Sequence, residues 1–197
     1  MTRGLTMKIG IIGGSGLYDM EGMNLSGNRK ISTPFGDPSD IFICGSIGSN
    51  EVYFLPRHGR GHTIMPSEIN HRANIYGLKS LGVECVLSVS AVGSLQEYLR
   101  PRDVILPDQY FDRTKQSDSH TFFGEGLVAH ISFGDPTCGR LRGLVEKTAQ
   151  AVIQKEGLDA RLFSGGTYVC MEGPAFSTRA ESKFYRNMKF DVIGMTS

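Results

Sequence analysis

Lys8-Ile-Gly-Ile-Ile-Gly-Gly-Ser-Gly16 is a short apolar run that ends in a glycine-rich turn. Three isoleucines in four positions make Lys8–Ile12 a buried strand. The small residues Gly13-Gly14-Ser15-Gly16 let backbone N–H groups point into one concavity, the geometry that holds an anion. It is not a phosphate loop of the Gly-Lys-Ser/Thr kind, and position 19 is Asp, so it is not G-x-G-x-x-G either. Taken alone, it is equally a plain tight turn.

Working outward, Asp40–Gly45 and Glu51–Leu55 read as two strands joined by the turn-rich Ser46–Asn50, a hairpin. A helix follows, with its start signal at Pro66-Ser67, one face through Ile69, Ala73, Tyr76 and Ser80, and its stop at Gly82. Val83–Val89 and Val104–Leu106 read as strands, and Asp108 to Pro136 as a long polar loop. Gly139 to Glu156 is the most periodic helix, with Leu141, Leu144, Val145, Thr148, Ala149, Val152 and Ile153 at i, i+3, i+4 and i+7 spacing. Gly166–Met171 reads as a strand. Thr178-Arg-Ala-Glu181 is a capping box that opens a helix to about Met188, and Asp191–Met195 is a last strand. Alternating strands and helices predict an α/β fold: a mixed, largely parallel β-sheet flanked by helices, in a single domain. A buried strand with no covering helix after it leads to the expectation that the chain is the N-terminal portion of a longer domain.

Composition narrows the function. The 197 residues carry 21 Lys and Arg against 20 Asp and Glu, a formal charge of +1. That excludes a general polyanion binder and predicts no nucleic-acid partner, although a local basic pocket stays possible. No run approaches the length of a membrane span and the N-terminus has no apolar core, so the expectation is a cytoplasmic protein with no membrane partner. Glycine is the outlier at 25 residues, well above the usual level of about 7%. Cys44, Cys85, Cys138 and Cys170 form no C-x-x-C pair; three of them lie in apolar, strand-like runs and read as buried, reduced thiols. No metal site is expected: His120 and His130 have no ligand-like spacing, and no H-E-x-x-H is present.

The chemistry sits at strand ends. Arg57-His-Gly-Arg-Gly-His62 follows a strand directly, and a planar guanidinium clamps phosphate with two hydrogen bonds. Ser88-Val-Ser90-Ala-Val-Gly-Ser94 and Met195-Thr196-Ser197 repeat the small-residue pattern at two further strand ends. Together these predict one phosphate-sized pocket built from several loops. Glu172 and Glu181 are a candidate carboxylate pair, although the capping box explains Glu181 more simply.

At these residues the chain resembles the purine nucleoside phosphorylase superfamily, and within it the 5′-methylthioadenosine phosphorylase branch. The matching segments are positions 8 to 19, Pro56-RHGRGHTIMPSEINHRANI, Ser90-AVGSL, Asp112-Arg113, Gly166-TYVCMEGPAFSTRAES and Asp191-VIGMTS. The resemblance implies a nucleoside phosphorylase-like fold. It also implies a transferase of purine and methionine salvage, which cleaves 5′-methylthioadenosine with phosphate to adenine and 5-methylthioribose 1-phosphate. Purine nucleoside and phosphate are then the partners, phosphate is a co-substrate, no cofactor is needed, and the assembly is a homotrimer. Carried over by motif, Ser15, Arg57, His58, Ser90, Ala91 and Thr196 bind phosphate, Arg57 and His58 being its cationic side. Phe176 packs on the purine, Met195 lies under the ribose, and Ser177 stands where the inosine and guanosine branch has a Glu for the N1–H of a 6-oxopurine. His62 and the region of His120 and His130 resemble parts lining the 5′ end.

Two departures stand out. Ala175 occupies a place where the branch often has Arg, and the family's leaving-group acid lies beyond Ser197. The resemblance therefore places no certain catalytic acid in this chain and predicts very low activity for it alone, since general acid catalysis is typically worth about 10²–10⁴-fold. The alternatives are a methylthioinosine or general purine nucleoside phosphorylase, and a non-catalytic phosphate-binding fragment. A dinucleotide-binding module lacks its glycine fingerprint here.

Overall fold

The computed structural model describes residues 6–18, 20–115 and 120–196. They gather into two compact units, residues 6–90 with 120–127, and residues 91–115 with 128–196. The α/β reading holds, as mixed sheets flanked by helices; the expected single sheet is three, because each unit closes its own core.

In the first unit, β1 (Lys8–Gly13) is the second-last strand of a five-stranded sheet with β2 (Asn24–Arg29), β3 (Phe42–Ile47), β4 (Asn50–Pro56) and β5 (Cys85–Val89). Their order is β2-β3-β4-β1-β5. β3 and β4 form the expected antiparallel hairpin, whereas β1 runs parallel to both β4 and β5. Strand β2 was not expected: Asn24-Leu-Ser-Gly-Asn-Arg29 is exposed throughout and has no apolar alternation. It pairs as an edge strand through its backbone, with an irregularity between Leu25 and Gly27.

Helix α1 (His71–Ser80) starts later than Pro66-Ser67. Pro66 opens a separate 3₁₀ turn over Pro66–Glu68, the backbone goes extended at Ile69, and Asn70 is the true cap, accepting from Ala73 N at 3.1 Å. The helix packs on the sheet through Leu78, against Phe42 and Leu55, with Ile12, Ile31, Tyr53, Leu81 and Val83 around them. Each such fully buried side chain contributes about 1.5–3 kcal/mol relative to exposure. Gly77 allows the approach: a Cβ there would fall 2.6 Å from Phe42 Cζ.

The second unit holds β6 (Gly93–Ser94), β7 (Val104–Leu106), β8 (Gln109–Asp112), α2 (Gly139–Lys155), β9 (Leu162–Ser164), β10 (Thr167–Cys170), α3 (Arg179–Asn187) and β11 (Val192–Gly194). β6-β11-β10-β8 form one sheet and β7-β9 a parallel pair. Strand β8 lies inside the stretch read as a loop; only Tyr110 and Phe111 carry an apolar signal there. Leu95, Val169 and Tyr185 form one core cluster, and Leu99, Tyr168 and Val192 another. The capping box at the start of α3 is present, with Glu181 N donating to Thr178 Oγ1 at 3.2 Å and Thr178 N to Glu181 Oε2 at 2.7 Å. Cys44 is buried in β3, Cys85 and Cys170 are half-buried, and Cys138 is exposed. No helix among the described residues is long and apolar enough to cross a membrane.

Candidate functional site

In the first unit the parallel register does the positioning. Gly13 is level with Pro56 on one side and with Val89 on the other. The residues that leave the carboxyl ends of β1, β4 and β5 therefore emerge at one sheet edge: Gly14 and Ser15, Arg57 and His58, and Ser90. Crevices at the carboxyl ends of parallel strands are where α/β sheets bind ligands. Ser15 opens a 3₁₀ turn, Ser15–Leu17, closed by Leu17 N donating to Gly14 O at 3.1 Å. The Ser15 side chain lies outside the described residues.

Arg57 is the charge at this edge and is only 6% exposed. Its Nη1 donates to the Val89 carbonyl at 2.6 Å and its Nε to His58 Nε2 at 3.3 Å. Nη2 lies beside the glycine turn, 3.5 Å from where a Cβ on Gly14 would be. The guanidinium thus spans the three strand ends. Its backbone N–H also donates to Gly13 O at 3.1 Å.

His58 is buried next to it. Its Nδ1 lies 2.9 Å from the Ile64 carbonyl, which only accepts, so Nδ1 carries the proton. Nε2 faces a guanidinium N–H, which only donates, so Nε2 is the acceptor. The imidazole is neutral in this arrangement. Burial pushes its pKa down; the Ile64 bond opposes this, while Arg57 and His62 push the same way as burial. His62, at φ 59°, stacks on His58 with ring centres 4.4 Å apart.

The loop is braced from outside. Tyr18 OH donates to Gly59 O at 2.9 Å, Arg60 N donates to Asp40 Oδ2 at 2.7 Å, and Thr63 N and Ile64 N both donate to His58 O at 3.0 Å. Behind it, His71 at the start of α1 has its pKa pushed down by burial first, then by His120 and Arg57. The His71 and His120 rings are 5.8 Å apart, edge to face.

In the second unit β10 runs parallel to β8 and β11, with Cys170 level with Asp112 and Gly194. Arg113, Met171-Glu172 and Met195-Thr196 therefore leave one edge. Met195 covers the turn that follows β10: a Cβ at Gly173 would fall 2.6 Å from Met195 Sδ. Phe176, three residues on, is 86% exposed. Ser177 Oγ pairs with Ser182 Oγ at 2.8 Å. Arg113 Nε donates to Tyr185 OH at 3.3 Å, and its Nη2 lies 3.9 Å from Glu181 Oε1.

The chain matches the model of the phosphorylase superfamily over residues 8–197. It belongs to that superfamily. The S-methyl-5′-thioadenosine phosphorylase of Koribacter versatilis is 56% identical over 190 residues, which are 96% of this chain and 63% of the relative. That of Thermosynechococcus vestitus is 58% identical over 193 residues, covering 98% of this chain and 65% of the relative. Among solved structures, a methylthioadenosine phosphorylase from an antarctic soil metagenomic library superposes with a TM-score of 0.90. It is 50% identical, over 97% of this chain and 65% of that one. A variant of the Schistosoma mansoni adenosine/methylthioadenosine phosphorylase, in complex with adenine, reaches 0.89 at 37% identity, covering 97% of this chain and 71% of that one. The chain thus spans a little under two thirds of the length of the two bacterial relatives.

Within this superfamily member, the first unit brings together the Gly14-Ser15 turn, Arg57, His58 and Ser90. Ala91 and Thr196 fall in the second unit, with Phe176, Ser177 and Met195. Glu181 is occupied as the reciprocal cap of α3, its carboxyl held below its ordinary pKa first by the Thr178 backbone bond and then by the Thr178 hydroxyl. Glu172 accepts from Lys115 N at 3.4 Å. Sequence reasoning missed the carbonyls of Val89 and Ile64, which aim Arg57 and His58, and it missed His71. The carbonyls leave no trace in side-chain identity, whereas His71 was legible as the first residue after the Asn70 cap.

Proposed function

We propose that this chain takes part in phosphorolysis of 5′-methylthioadenosine. A phosphate oxygen attacks the anomeric carbon, the bond from that carbon to the purine nitrogen breaks, and adenine and 5-methylthioribose 1-phosphate form. The observation that carries the reading is the convergence of a glycine turn, a buried guanidinium and a Ser at three parallel strand ends. An oxocarbenium-like transition state is positive, so an anionic nucleophile fixed beside it lowers the barrier through both position and charge. The similarity to enzymes named S-methyl-5′-thioadenosine phosphorylase supports the substrate.

In this reading the backbone at Ser15, with Arg57, His58 beside it, and Ser90, holds phosphate. Ala91 and Thr196 join that set on the resemblance. Phe176 presents an exposed aromatic face for the purine, Met195 an apolar contact for the ribose, and Ser177 a hydroxyl in place of a carboxylate, which favours a 6-aminopurine. We assign no cofactor and no leaving-group acid to the described residues. A cytoplasmic homotrimer belongs to the same proposal.

The test is release of adenine from methylthioadenosine by the purified chain with and without phosphate, with inosine and methylthioinosine in parallel. Phosphate-dependent release that favours the adenine substrate is expected. Release independent of phosphate, or a preference for hypoxanthine substrates, overturns the reading. Phosphate binding without any release favours the second reading, a non-catalytic phosphate-binding chain.

A further inference from the structure

In the second unit, Phe176 and Ser177 lie in the loop that leads from β10 into α3. A serine hydroxyl is a rotor with one proton and two lone pairs. One contact orients it here: Ser177 Oγ lies 2.8 Å from Ser182 Oγ, at the fourth residue of α3. A serine inside a helix can instead bond back to the carbonyl one turn earlier. That carbonyl, of Thr178, takes the Ser182 backbone N–H at 2.9 Å, and the Ser182 hydroxyl reaches Ser177. We propose that Ser182 is a positioning residue for base recognition: its hydroxyl donates to Ser177 Oγ and leaves the Ser177 proton to a ring nitrogen of a 6-aminopurine. This rests on the reading of Ser177 as a purine contact and names the residue that aims it.

The direction of the shared bond follows from the chemistry of the base. N1 of a 6-aminopurine carries a lone pair and no proton, so it accepts. Ser177 serves it only if its single proton is not spent on Ser182, so Ser182 must be the donor of the pair. The turn that carries Ser182 is anchored. Thr178 N donates to Glu181 Oε2 at 2.7 Å and Glu181 N to Thr178 Oγ1 at 3.2 Å, which closes the start of α3. Arg113, leaving β8, has Nη2 3.9 Å from Glu181 Oε1 and donates from Nε to Tyr185 OH at 3.3 Å. Tyr185 is itself buried with Leu95 and Val169. Ser182 thus holds, from a fixed helix, the one hydroxyl that stands beside the exposed Phe176 ring.

The experiment uses the full chain and adenine. Adenine affinity and the urea midpoint are measured for wild type, Ser177→Ala, Ser182→Ala and the variant carrying both changes. Loss of one neutral hydrogen bond predicts an affinity about fivefold weaker for Ser182→Ala. In the Ser177→Ala background the same change should cost less than about twofold, because the hydroxyl it orients is gone. A purely structural role of Ser182 would act equally in both backgrounds. Ser182→Thr and Ser182→Val then differ by a hydroxyl against a methyl on the same frame. Thr should bind adenine within about twofold of wild type, and Val as weakly as Ser182→Ala.

Undiminished affinity in Ser182→Ala overturns the proposal. So does the same loss in both backgrounds, or equal binding by Ser182→Thr and Ser182→Val. If wild type binds no adenine, or Ser177→Ala binds it as wild type does, the purine reading of Ser177 fails and the proposal falls with it. A loss in Ser177→Ala with none in Ser182→Ala removes the proposal and leaves that reading standing. If Ser182→Ala does not fold, the comparison of Thr with Val decides.

Discussion

Arg57→Lys keeps the charge and removes the fork, and it separates a point-charge account of the anion site from an aimed-guanidinium account. The guanidinium uses Nη1 on Val89 O at 2.6 Å and Nε on His58 Nε2 at 3.3 Å while Nη2 lies by the glycine turn. An ammonium is one compact donor group at the end of a flexible stem and cannot span three strand ends at once. If Lys stays with Val89 O and His58, the anion loses its charged donor, worth about 1.5–3 kcal/mol, or roughly a 10- to 150-fold weaker affinity. If Lys turns to the anion instead, a buried carbonyl and a buried imidazole nitrogen lose their partner, at about 1–3 kcal/mol of stability for each unsatisfied group. The variant must therefore lose affinity, stability or both, by about 1.5 kcal/mol or more in sum. Calorimetric titration with phosphate and urea denaturation of the same samples measure the two. An Arg57→Lys protein that binds phosphate within about twofold of wild type and unfolds at the same urea concentration would refute the reasoning.

Three further outcomes follow from the same structure. Gly77→Ala places a methyl 2.6 Å from Phe42 Cζ; the overpacking cost of about 1–3 kcal/mol should outweigh the helix gain of about 1 kcal/mol, lowering the urea midpoint. Phe176→Ala, at an 86% exposed position, should change stability by less than about 0.5 kcal/mol while weakening purine binding by about 1–3 kcal/mol, read by adenine titration. His58 and His71 both have folded pKa values below the unfolded value of about 6.5, so the unfolded chain binds more protons in that window. Their contribution to stability is complete above about pH 6.5 and is lost as pH falls towards the folded values; thermal melts should show His71→Gln losing less stability than wild type on acidification.

Where local chemistry dictated structure, the sequence was readable. The isoleucine run gave β1, the β-branched Val104–Leu106 gave β7 to the residue, and the reciprocal Thr178 and Glu181 caps gave the start of α3. Elements that exist only through their partners were not readable. Strand β2 has no apolar face, β6 is two residues long, and β8 hides behind Pro107 in a polar stretch. The division into two units depends on long-range pairing that no window of sequence contains. The site divides the same way. The residue types at the strand ends were visible because anion chemistry needs glycine, small hydroxyls and arginine. The hydrogen-bond partners of His58 were not, because they are the carbonyl of Ile64 and one guanidinium N–H of Arg57.

The central claim is that the edge formed by the ends of β1, β4 and β5 holds the phosphate that attacks a purine nucleoside. Its most direct test is adenine release from methylthioadenosine as a function of phosphate concentration, in wild type and Arg57→Lys. The account predicts release that saturates with phosphate in wild type and needs about tenfold more phosphate, or is lost, in the variant. Release that ignores phosphate, or that is unchanged by Arg57→Lys, would contradict it.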